Sequence, residues 1–181
     1  MLSSGAVPGV FYFAYGSNMD SATLRGRRGI EWSRAVPALL RGWRLVLDKP
    51  SLFRAGSAMA SIVADAGAEV WGVLYEISGS DLEHLELTEG VRIRHYQRIV
   101  VELQPSSGDG SPTTAVTLAS GHRDPEARPT TRYMSLLLAG AAEHGLPQTW
   151  IETLRAIEAV EESDESAAIL PFLDQALRKP S

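Results

Sequence analysis

Apolar and polar residues alternate along the first two thirds of the chain, a pattern typical of half-buried β-strands. The alternation is strongest over residues 69–77, where Trp71, Val73 and Tyr75 share one face, and this segment is predicted to be a central strand. Shorter strand patterns cover residues 10–15, 43–47, 58–64, 96–103 and 113–119. Residues 104–112 are rich in Pro, Ser and Gly, which predicts a hairpin loop between the last two strands.

The last third of the chain instead has the spacing of amphipathic helices. Residues 131–144 predict a helix that ends at Gly145, because glycine readily adopts the backbone conformation that terminates helices. Residues 148–160 predict a second helix with an apolar stripe. The acidic residues 158–165 are expected to form a solvated surface, and Pro171 is expected to begin a last short helix.

Strands followed by helices predict an α+β fold, in which helices pack beside a strongly curved, barrel-like sheet. A length of 181 residues and an apolar content of 44% are typical of one globular domain. We therefore expect a single domain over residues 1–181, with its core at about residues 10–160 and a C-terminal helical tail at residues 161–181.

The composition excludes several classes of protein. The chain contains no cysteine, which excludes disulfides, thiolate nucleophiles and zinc–thiolate sites and fits the reducing cytoplasm that we expect as its location. Its 17 basic and 22 acidic residues give a net charge of −5, the wrong sign for a protein that binds nucleic acid. No segment approaches the ~18 consecutive apolar residues of a membrane span. We therefore expect neither nucleic acid nor a membrane as a partner.

A capping pattern predicts one short helix between the strands. Residues 80–83 read Ser-Asp-Leu-Glu, in which Ser80 would accept hydrogen bonds from the first backbone N–H groups while Glu83 reaches back to the helix start. The helix is expected to run to about Glu89, where Gly90 ends it.

Glu89 is the unusual residue of this helix. At about 100° per residue it falls between Leu82 and Leu85, so it is expected to face the core with the two leucines. Loss of hydration makes a carboxylate a better proton acceptor near neutral pH, which favours a role in acid–base chemistry. The alternative is that Glu89, at the last turn, simply points into solvent.

A second candidate site is the end of the first strand, residues 12–18, which read Tyr-Phe-Ala-Tyr-Gly-Ser-Asn. A strand that ends in Gly16, Ser17 and Asn18 can expose consecutive backbone N–H groups, which suit an anionic ligand or an oxyanion. On this chemistry alone, a plain turn between strand and loop is the alternative.

Read together, these segments resemble the γ-glutamylcyclotransferase family. The resemblance rests on four motifs that occur in the family's order: residues 12–18, residues 69–75 (Glu-Val-Trp-Gly-Val-Leu-Tyr), Glu89-Gly90-Val91 followed by Tyr96, and Gly140-Ala141 leading to Gly145-Leu146-Pro147. A weaker match at residues 40–45 is similar to the family's second strand. The matches cover most of residues 10–158. The fold that the resemblance implies is a small mixed β-barrel with flanking helices.

The resemblance also implies a site. Glu89 matches the family's catalytic glutamate. The loop that binds the glutamyl part of the substrate is matched by Tyr12, Phe13, Ala14, Tyr15, Gly16 and Ser17. Asn18 would hold the shape of that loop, Tyr133 matches a substrate-contacting tyrosine, and Tyr96 matches a tyrosine that lines the site.

The implied activity is an intramolecular reaction on a small γ-glutamyl amino acid. The substrate α-amine attacks the γ-carbonyl and releases 5-oxoproline and the free amino acid, with Glu89 as general acid and base. We expect no metal and no organic cofactor, since ring closure needs neither and the four histidines lack metal-ligand spacing. The chain is expected to be a monomer or a homodimer.

Three alternatives stay open: a cyclotransferase acting on γ-glutamyl amines or a γ-glutamyl-protected natural product, a serine hydrolase using Ser17, and a non-catalytic small-molecule-binding module. The identity of the leaving group is open because Arg92, Arg94, His95 and Thr117 depart from the family pattern. A further cluster of arginines is expected to lie on a solvated loop: Arg25, Arg27 and Arg28.

Overall fold

The computed structural model describes residues 9–105 and 111–179. Its strands form a closed barrel in the order β1, β3, β2, β4, β5. They are β1 (Val10–Ala14), β2 (Trp32–Pro50), β3 (Ala58–Ile77), β4 (Gln97–Pro105) and β5 (Thr113–Ala119). Neighbouring strands are antiparallel except β1 and β5, which are parallel. The barrel is therefore mixed, and the predicted fold class is confirmed.

The two longest strands, β2 and β3, differ from the prediction. The two strands predicted at residues 58–64 and 69–77 are one continuous strand, β3, and β2 begins at Trp32 rather than near Trp43. The pairing of β2 with β3 shifts register between Arg41 and Trp43. Residues 64–69 of β3 lie opposite this shift and are largely exposed, so they carry no alternating core pattern that could have revealed the continuity.

Four helices flank the barrel: α1 (Gly79–Thr88), α2 (Thr131–Glu143), α3 (Gln148–Arg155) and α4 (Asp164–Ala176). The predicted cap of α1 is wrong by two residues. Ser78, not Ser80, precedes the helix, and its hydroxyl accepts a hydrogen bond from the backbone N–H of Asp81 at 3.0 Å. Ser78 and Asp81 have the same three-residue spacing as Ser80 and Glu83, so the sequence contained two overlapping capping patterns.

The ends of the other helices agree with the prediction in one case and differ from it in two. α2 ends just before Gly145, as predicted, whereas α3 is shorter than predicted and ends at Arg155. Pro171 lies inside α4 instead of beginning it. An interior proline removes one backbone hydrogen bond, and α4 tolerates this loss while its residues Leu170 and Leu173 line a cavity together with Met59 of β3. Among the residues that the structure describes, no helix is long and apolar enough to cross a membrane.

The loop after β1 is clamped from two sides. A Cβ on Gly140 of α2 would lie 2.5 Å from the carbonyl carbon of Met19 and 2.6 Å from the nitrogen of Asp20, so only glycine permits this close approach. On the other side, the Tyr75 hydroxyl of β3 donates to the carbonyl oxygen of Met19 at 3.0 Å. Helix α2 and strand β3 therefore fix the loop that carries Gly16, Ser17 and Asn18.

The acidic segment after α3 is not simply a solvated surface. Oε1 of Glu162 lies 2.6 Å from Nη1 of Arg54, and only 12% and 11% of the two side chains are exposed. The prediction of solvation is therefore wrong for Glu162. Glu162 is buried because it pairs with Arg54, a buried cation about 100 residues earlier in the chain.

Candidate active site

The loop after β1 borders a cavity with about 360 Å³ of empty space, which we call the inner pocket. Its lining comes from β1 and the loop that follows, from β3, β5 and α2, and from the turns around Glu89 and Tyr96. The lining residues are Tyr12, Tyr15, Gly16, Ser17, Asn18, Met59, Ala60, Glu89, Tyr96, Leu118 and Tyr133. The fold thus brings together seven of the nine predicted substrate-binding residues with the predicted catalytic glutamate.

Phe13 and Ala14 are the two that the structure does not bring to this cavity. The Phe13 side chain is fully buried, and its ring lies 2.7 Å from the position that a Cβ on Gly72 would occupy. Its carbonyl oxygen accepts a hydrogen bond from the hydroxyl of Thr117 at 2.7 Å. Phe13 therefore supports the strand, since alternation along β1 turns its side chain away from that of Tyr12.

Glu89 faces the inner pocket, and the alternative that it points into solvent is wrong. Only 10% of its side chain is exposed, and it directly follows α1. The Nδ2 group of Asn18 donates to Oε1 of Glu89 and to the hydroxyl of Tyr12, both at 3.1 Å. Asn18 therefore connects the loop after β1 to the carboxylate.

Arg28 supplies the counter-charge to Glu89. Its Nη2 lies 2.7 Å from Oε1 of Glu89, its side chain is 8% exposed, and its Nη1 donates to the hydroxyl of Thr88 at 2.6 Å. The prediction of a solvated loop is wrong for Arg28, although Arg25 is exposed and lies over the ring of Trp32. The π-helical segment Ala22–Arg27 directs Arg28 inward, and no local pattern distinguishes Arg28 from Arg25 and Arg27.

The tyrosines of the inner pocket are neutral hydrogen-bonding groups. Tyr133 accepts a hydrogen bond from the N–H of Ala60 at 3.0 Å, and Tyr96 donates to the carbonyl oxygen of Ala60 at 2.7 Å. Burial raises the pKa of Tyr133 to about 12, although hydrogen bonds with Ala60 and Ser17 limit the rise. Burial raises the pKa of the other three as well: Tyr12, Tyr15 and Tyr96. These phenols stay protonated at neutral pH, so they can take part in hydrogen bonds but do not act as bases.

Two further polar features mark the inner pocket as a ligand site. Oδ1 of Asn18 is buried and has no hydrogen-bond partner among the described residues. A Cβ on Gly16 would lie 3.2 Å from both the Tyr133 hydroxyl and the Cβ of Ala60, so the loop passes close beneath these groups. An unsatisfied buried acceptor beside a carboxylate suits a cationic donor such as an ammonium group.

Sequence reasoning missed Lys49, which is fully buried beside the pocket. Its ammonium group contacts the imidazole of His95, donates to the carbonyl oxygen of Pro50 at 3.1 Å, and lies 4.3 Å from the centre of the Tyr96 ring. Burial lowers the pKa of Lys49 to about 8, against the opposing effect of Glu89. Burial and the nearby Lys49 lower the pKa of His95 to about 4, so this imidazole is neutral at pH 7. The only feature of the sequence that could have revealed this buried cation is a lysine within a segment of strand-like residues.

A second cavity, with about 820 Å³ of empty space, adjoins the first, and we call it the outer pocket. It shares Ser17, Met59, Glu89 and Tyr133 with the inner pocket. The rest of its lining comes from five separate parts of the chain: Thr23, Arg27, Arg28, Ser51, Leu52, Phe53, Arg54, Thr88, His95, Arg132, Leu136, Leu170, Leu173 and Leu177. No sequence pattern indicated this cavity except the departures from the family at Arg92, Arg94 and His95, and of these only His95 lines it.

The other three histidines each contact a different part of the fold. His144 contacts the hydroxyl of Tyr75 at 3.0 Å, His122 contacts the carbonyl oxygen of Arg94 at 3.0 Å, and His84 contacts that of Leu177 at 3.1 Å. Within residues 9–105 and 111–179, no group of three or more His, Asp or Glu side chains is arranged to hold a metal ion.

Two features together describe the class of protein: a closed mixed barrel, and a buried carboxylate that contacts the loop after the first strand. The chain is an α+β barrel protein whose polar site is built at the end of β1, where a glycine-containing loop, tyrosines and an acidic side chain converge.

Comparison with known proteins gives the family. A model of the AIG2-like family matches residues 69–154. The γ-glutamylcyclotransferases of Mus musculus and Homo sapiens are 31% and 32% identical over 150 and 153 residues, covering 81% of this chain and 78% of each relative. A solved γ-glutamyl cyclotransferase structure is 27% identical with a TM-score of 0.76, covering 91% of this chain and 99% of that one. The chain belongs to the γ-glutamylcyclotransferase family, which confirms the resemblance found in its motifs.

Proposed function

We propose that this chain is a γ-glutamylcyclotransferase that converts γ-glutamyl amino acids into 5-oxoproline and the free amino acid. The observation that carries the proposal is the buried carboxylate of Glu89, held by Asn18 and Arg28 at the edge of the inner pocket. The relatives named above bear the same activity in their names, which supports the reaction class.

The glutamyl part of the substrate would occupy the inner pocket. Its α-ammonium group would contact Glu89 and the unsatisfied Oδ1 of Asn18, which are the two acceptors suited to a cation there. Backbone N–H groups around Gly16 and Ser17 would bind either the substrate α-carboxylate or the developing oxyanion. The tyrosines would hold the chain in the bent shape that ring closure requires.

Glu89 would move the proton. It would remove a proton from the α-ammonium, and the free amine would then attack the γ-carbonyl carbon to form the ring C–N bond. When the bond to the leaving nitrogen breaks, protonated Glu89 would give that proton to the leaving nitrogen. The regenerated carboxylate would then accept the second proton from the ring nitrogen, which leaves the neutral lactam, and pass it to the released amine to form its ammonium. Such proton transfer contributes ~10²–10⁴-fold to the rate, and holding an internal nucleophile in place corresponds to an effective molarity on the order of 10⁵ M or more.

The test is to identify the products that the protein forms from a γ-glutamyl dipeptide and from its N-acetylated analogue. Incubation with γ-glutamyl-alanine should yield 5-oxoproline by chromatography, and N-acetylation of its α-amine should abolish the reaction, because an amide nitrogen is too weak a nucleophile. An enzyme-free control accounts for slow spontaneous ring closure. Enzyme-dependent free glutamate, or rapid cleavage of the acetylated analogue, would instead indicate a serine hydrolase that uses Ser17.

The reaction is also proposed to be independent of cofactors, because ring closure uses only groups on the substrate and the Glu89 carboxylate. Activity should survive prolonged dialysis against a chelator. A loss of activity that added zinc or magnesium restores would contradict this part of the proposal.

A further inference from the structure

We infer that the outer pocket binds the leaving group and selects γ-glutamyl amino acids whose released residue has a bulky apolar side chain and a free α-carboxylate. The inference rests on the proposed function, because it assigns the leaving-group side of the same reaction. It commits to one occupant, an amino acid such as phenylalanine or leucine attached through its nitrogen to the γ-carbonyl.

The position of the two cavities supports this assignment. Glu89, Ser17 and Tyr133 line both of them, so the reacting carbonyl must lie where the pockets meet. With the glutamyl part in the inner pocket, the leaving group extends into the outer pocket. The outer pocket is the larger of the two cavities, so it is the one with room for a bulky leaving group.

The wall of the outer pocket is largely apolar. Met59 and Leu136 come from the barrel and α2, and three leucines come from α4 and the residues after it. Leu52 and Phe53 form the outer rim and are 49% and 55% exposed, so apolar surface remains available for a ligand to cover. The leucines are Leu170, Leu173 and Leu177. Covering apolar surface favours an apolar side chain on the ligand.

The guanidinium groups of the outer pocket suit a carboxylate. Its lining includes four arginines, of which Arg28 is paired with Glu89 and Arg54 with Glu162. We assign the carboxylate of the leaving group to the other two, Arg27 and Arg132, which also have contacts of their own within the fold. A γ-glutamyl amino acid carries an α-carboxylate on its leaving group, whereas a γ-glutamyl amine does not. Guanidinium groups recognise carboxylates through paired hydrogen bonds.

The apolar wall is fixed to the rest of the fold at both ends. Before α4, Glu162 pairs with Arg54 at 2.6 Å, and after α4 the ammonium of Lys179 lies 2.6 Å from Oδ1 of Asp81. His84 also contacts the carbonyl oxygen of Leu177 at 3.1 Å. The segment predicted as a C-terminal tail is therefore a structural side of the pocket.

The first experiment compares three substrates by kcat/KM for 5-oxoproline: γ-glutamyl-phenylalanine, γ-glutamyl-alanine and γ-glutamyl-phenethylamine. The phenylalanine derivative should exceed each of the others by about tenfold or more, since one lacks the apolar bulk and the other lacks the carboxylate. Equal or better turnover of the alanine derivative or the phenethylamine derivative would overturn the inference while leaving the proposed function intact. No 5-oxoproline from any of them would instead contradict the proposed function.

The second experiment changes the wall. Leu173→Ala should lower the ratio of kcat/KM for the phenylalanine derivative over the alanine derivative by about fivefold. Phe172→Ala is the matched control, because Phe172 is the adjacent residue of α4, is 73% exposed and does not line the pocket. Thermal unfolding identifies any variant that fails to fold, and Leu173→Trp, which fills the pocket instead of enlarging it, should lower the same ratio. An unchanged ratio in a folded Leu173 variant would overturn the inference.

The third experiment changes the charge. Arg132→Gln should lower the preference for γ-glutamyl-phenylalanine over γ-glutamyl-phenethylamine by about fivefold or more, because only the first carries the carboxylate. Arg155→Gln, an exposed position on α3 outside both pockets, is the control and should match the parent. If Arg27→Gln and Arg132→Gln both keep the parent's preference, the carboxylate does not bind here.

Discussion

The inner and outer pockets meet at Glu89 but are built in different ways. The inner pocket is small, and backbone groups fix its tyrosines, as Ala60 fixes Tyr96 and Tyr133. The outer pocket is larger, and its shape depends on long side chains in ion pairs, such as Arg54 with Glu162. The backbone contacts of the tyrosines and the Arg54–Glu162 pair involve different residues, so these supports of the two pockets can be changed separately. Arg28 is the exception, because it lines the outer pocket and also holds Glu89.

The largest expected effect is on the chemistry itself. Glu89→Gln keeps the size of the side chain and its hydrogen bond with Asn18 but cannot accept a proton, so kcat should fall by ~10² or more for every substrate. Glu86→Gln is the matched control, because Glu86 lies three residues earlier on α1, is 19% exposed, pairs with Arg98 and lines neither pocket. Steady-state kinetics of the folded variants measures both. Parent-like turnover in Glu89→Gln would exclude Glu89 as the base.

The next largest effect should come from Arg28, which we propose as a positioning residue acting through Glu89. Arg28→Gln should lower kcat by about tenfold or more for small and bulky substrates alike, because the carboxylate loses its fixed orientation. Arg28→Lys should recover part of the loss in kcat, because lysine restores the positive charge beside Glu89 but not the second hydrogen bond, to Thr88. Arg25→Gln removes an exposed arginine of the same turn and should have no effect. Failure of lysine to rescue would argue for a merely structural role.

A change in the support of the outer pocket should affect stability and selectivity together. Arg54→Gln leaves the carboxylate of Glu162 buried without its partner, which should destabilise the fold by about 2 kcal/mol or more. The same variant should raise KM for γ-glutamyl-phenylalanine more than for γ-glutamyl-alanine. Urea unfolding and steady-state kinetics measure the two effects. Arg54→Gln combined with Glu162→Gln should recover most of the stability, and no recovery would show that the pair is not the cause.

The last expected effect is on stability alone and concerns Lys49, which contacts His95 of the outer pocket and Tyr96 of the inner pocket. Its pKa is lowered from 10.5 to about 8, so between these pH values the unfolded chain binds a proton that the folded chain does not. This group therefore adds stability as the pH rises from 8 to 10.5, and its burial as a cation costs stability below pH 8.

Lys49→Met should accordingly be more stable than the parent at pH 7, by up to about 3 kcal/mol. The advantage should shrink as the pH rises through 8, the value to which burial lowers the Lys49 pKa. Thermal unfolding of both proteins across this range measures the difference directly. A difference that stays constant with pH would mean that Lys49 does not titrate in this window.

The sequence by itself determined the inner pocket to a large extent, because the relevant information is local. Tyr12, Gly16 and Asn18 belong to one short segment at the end of a strand, so their proximity follows from chain connectivity. The direction of Glu89 followed from helical periodicity, which depends only on spacing to Leu82 and Leu85. The family motifs connected these two segments.

Only the tertiary structure decided the rest. Arg28 was one of three similar arginines until the turn at Ala22–Arg27 placed it against Glu89. Residues 58–77 are one strand because β2 pairs with them across a register shift, and the outer pocket includes Arg54, whose partner Glu162 lies more than 100 residues away in the chain. Such pairings depend on burial and charge compensation between distant segments. A local pattern of polar and apolar residues does not contain that information, since it records which side chains avoid water but not which partner each one meets.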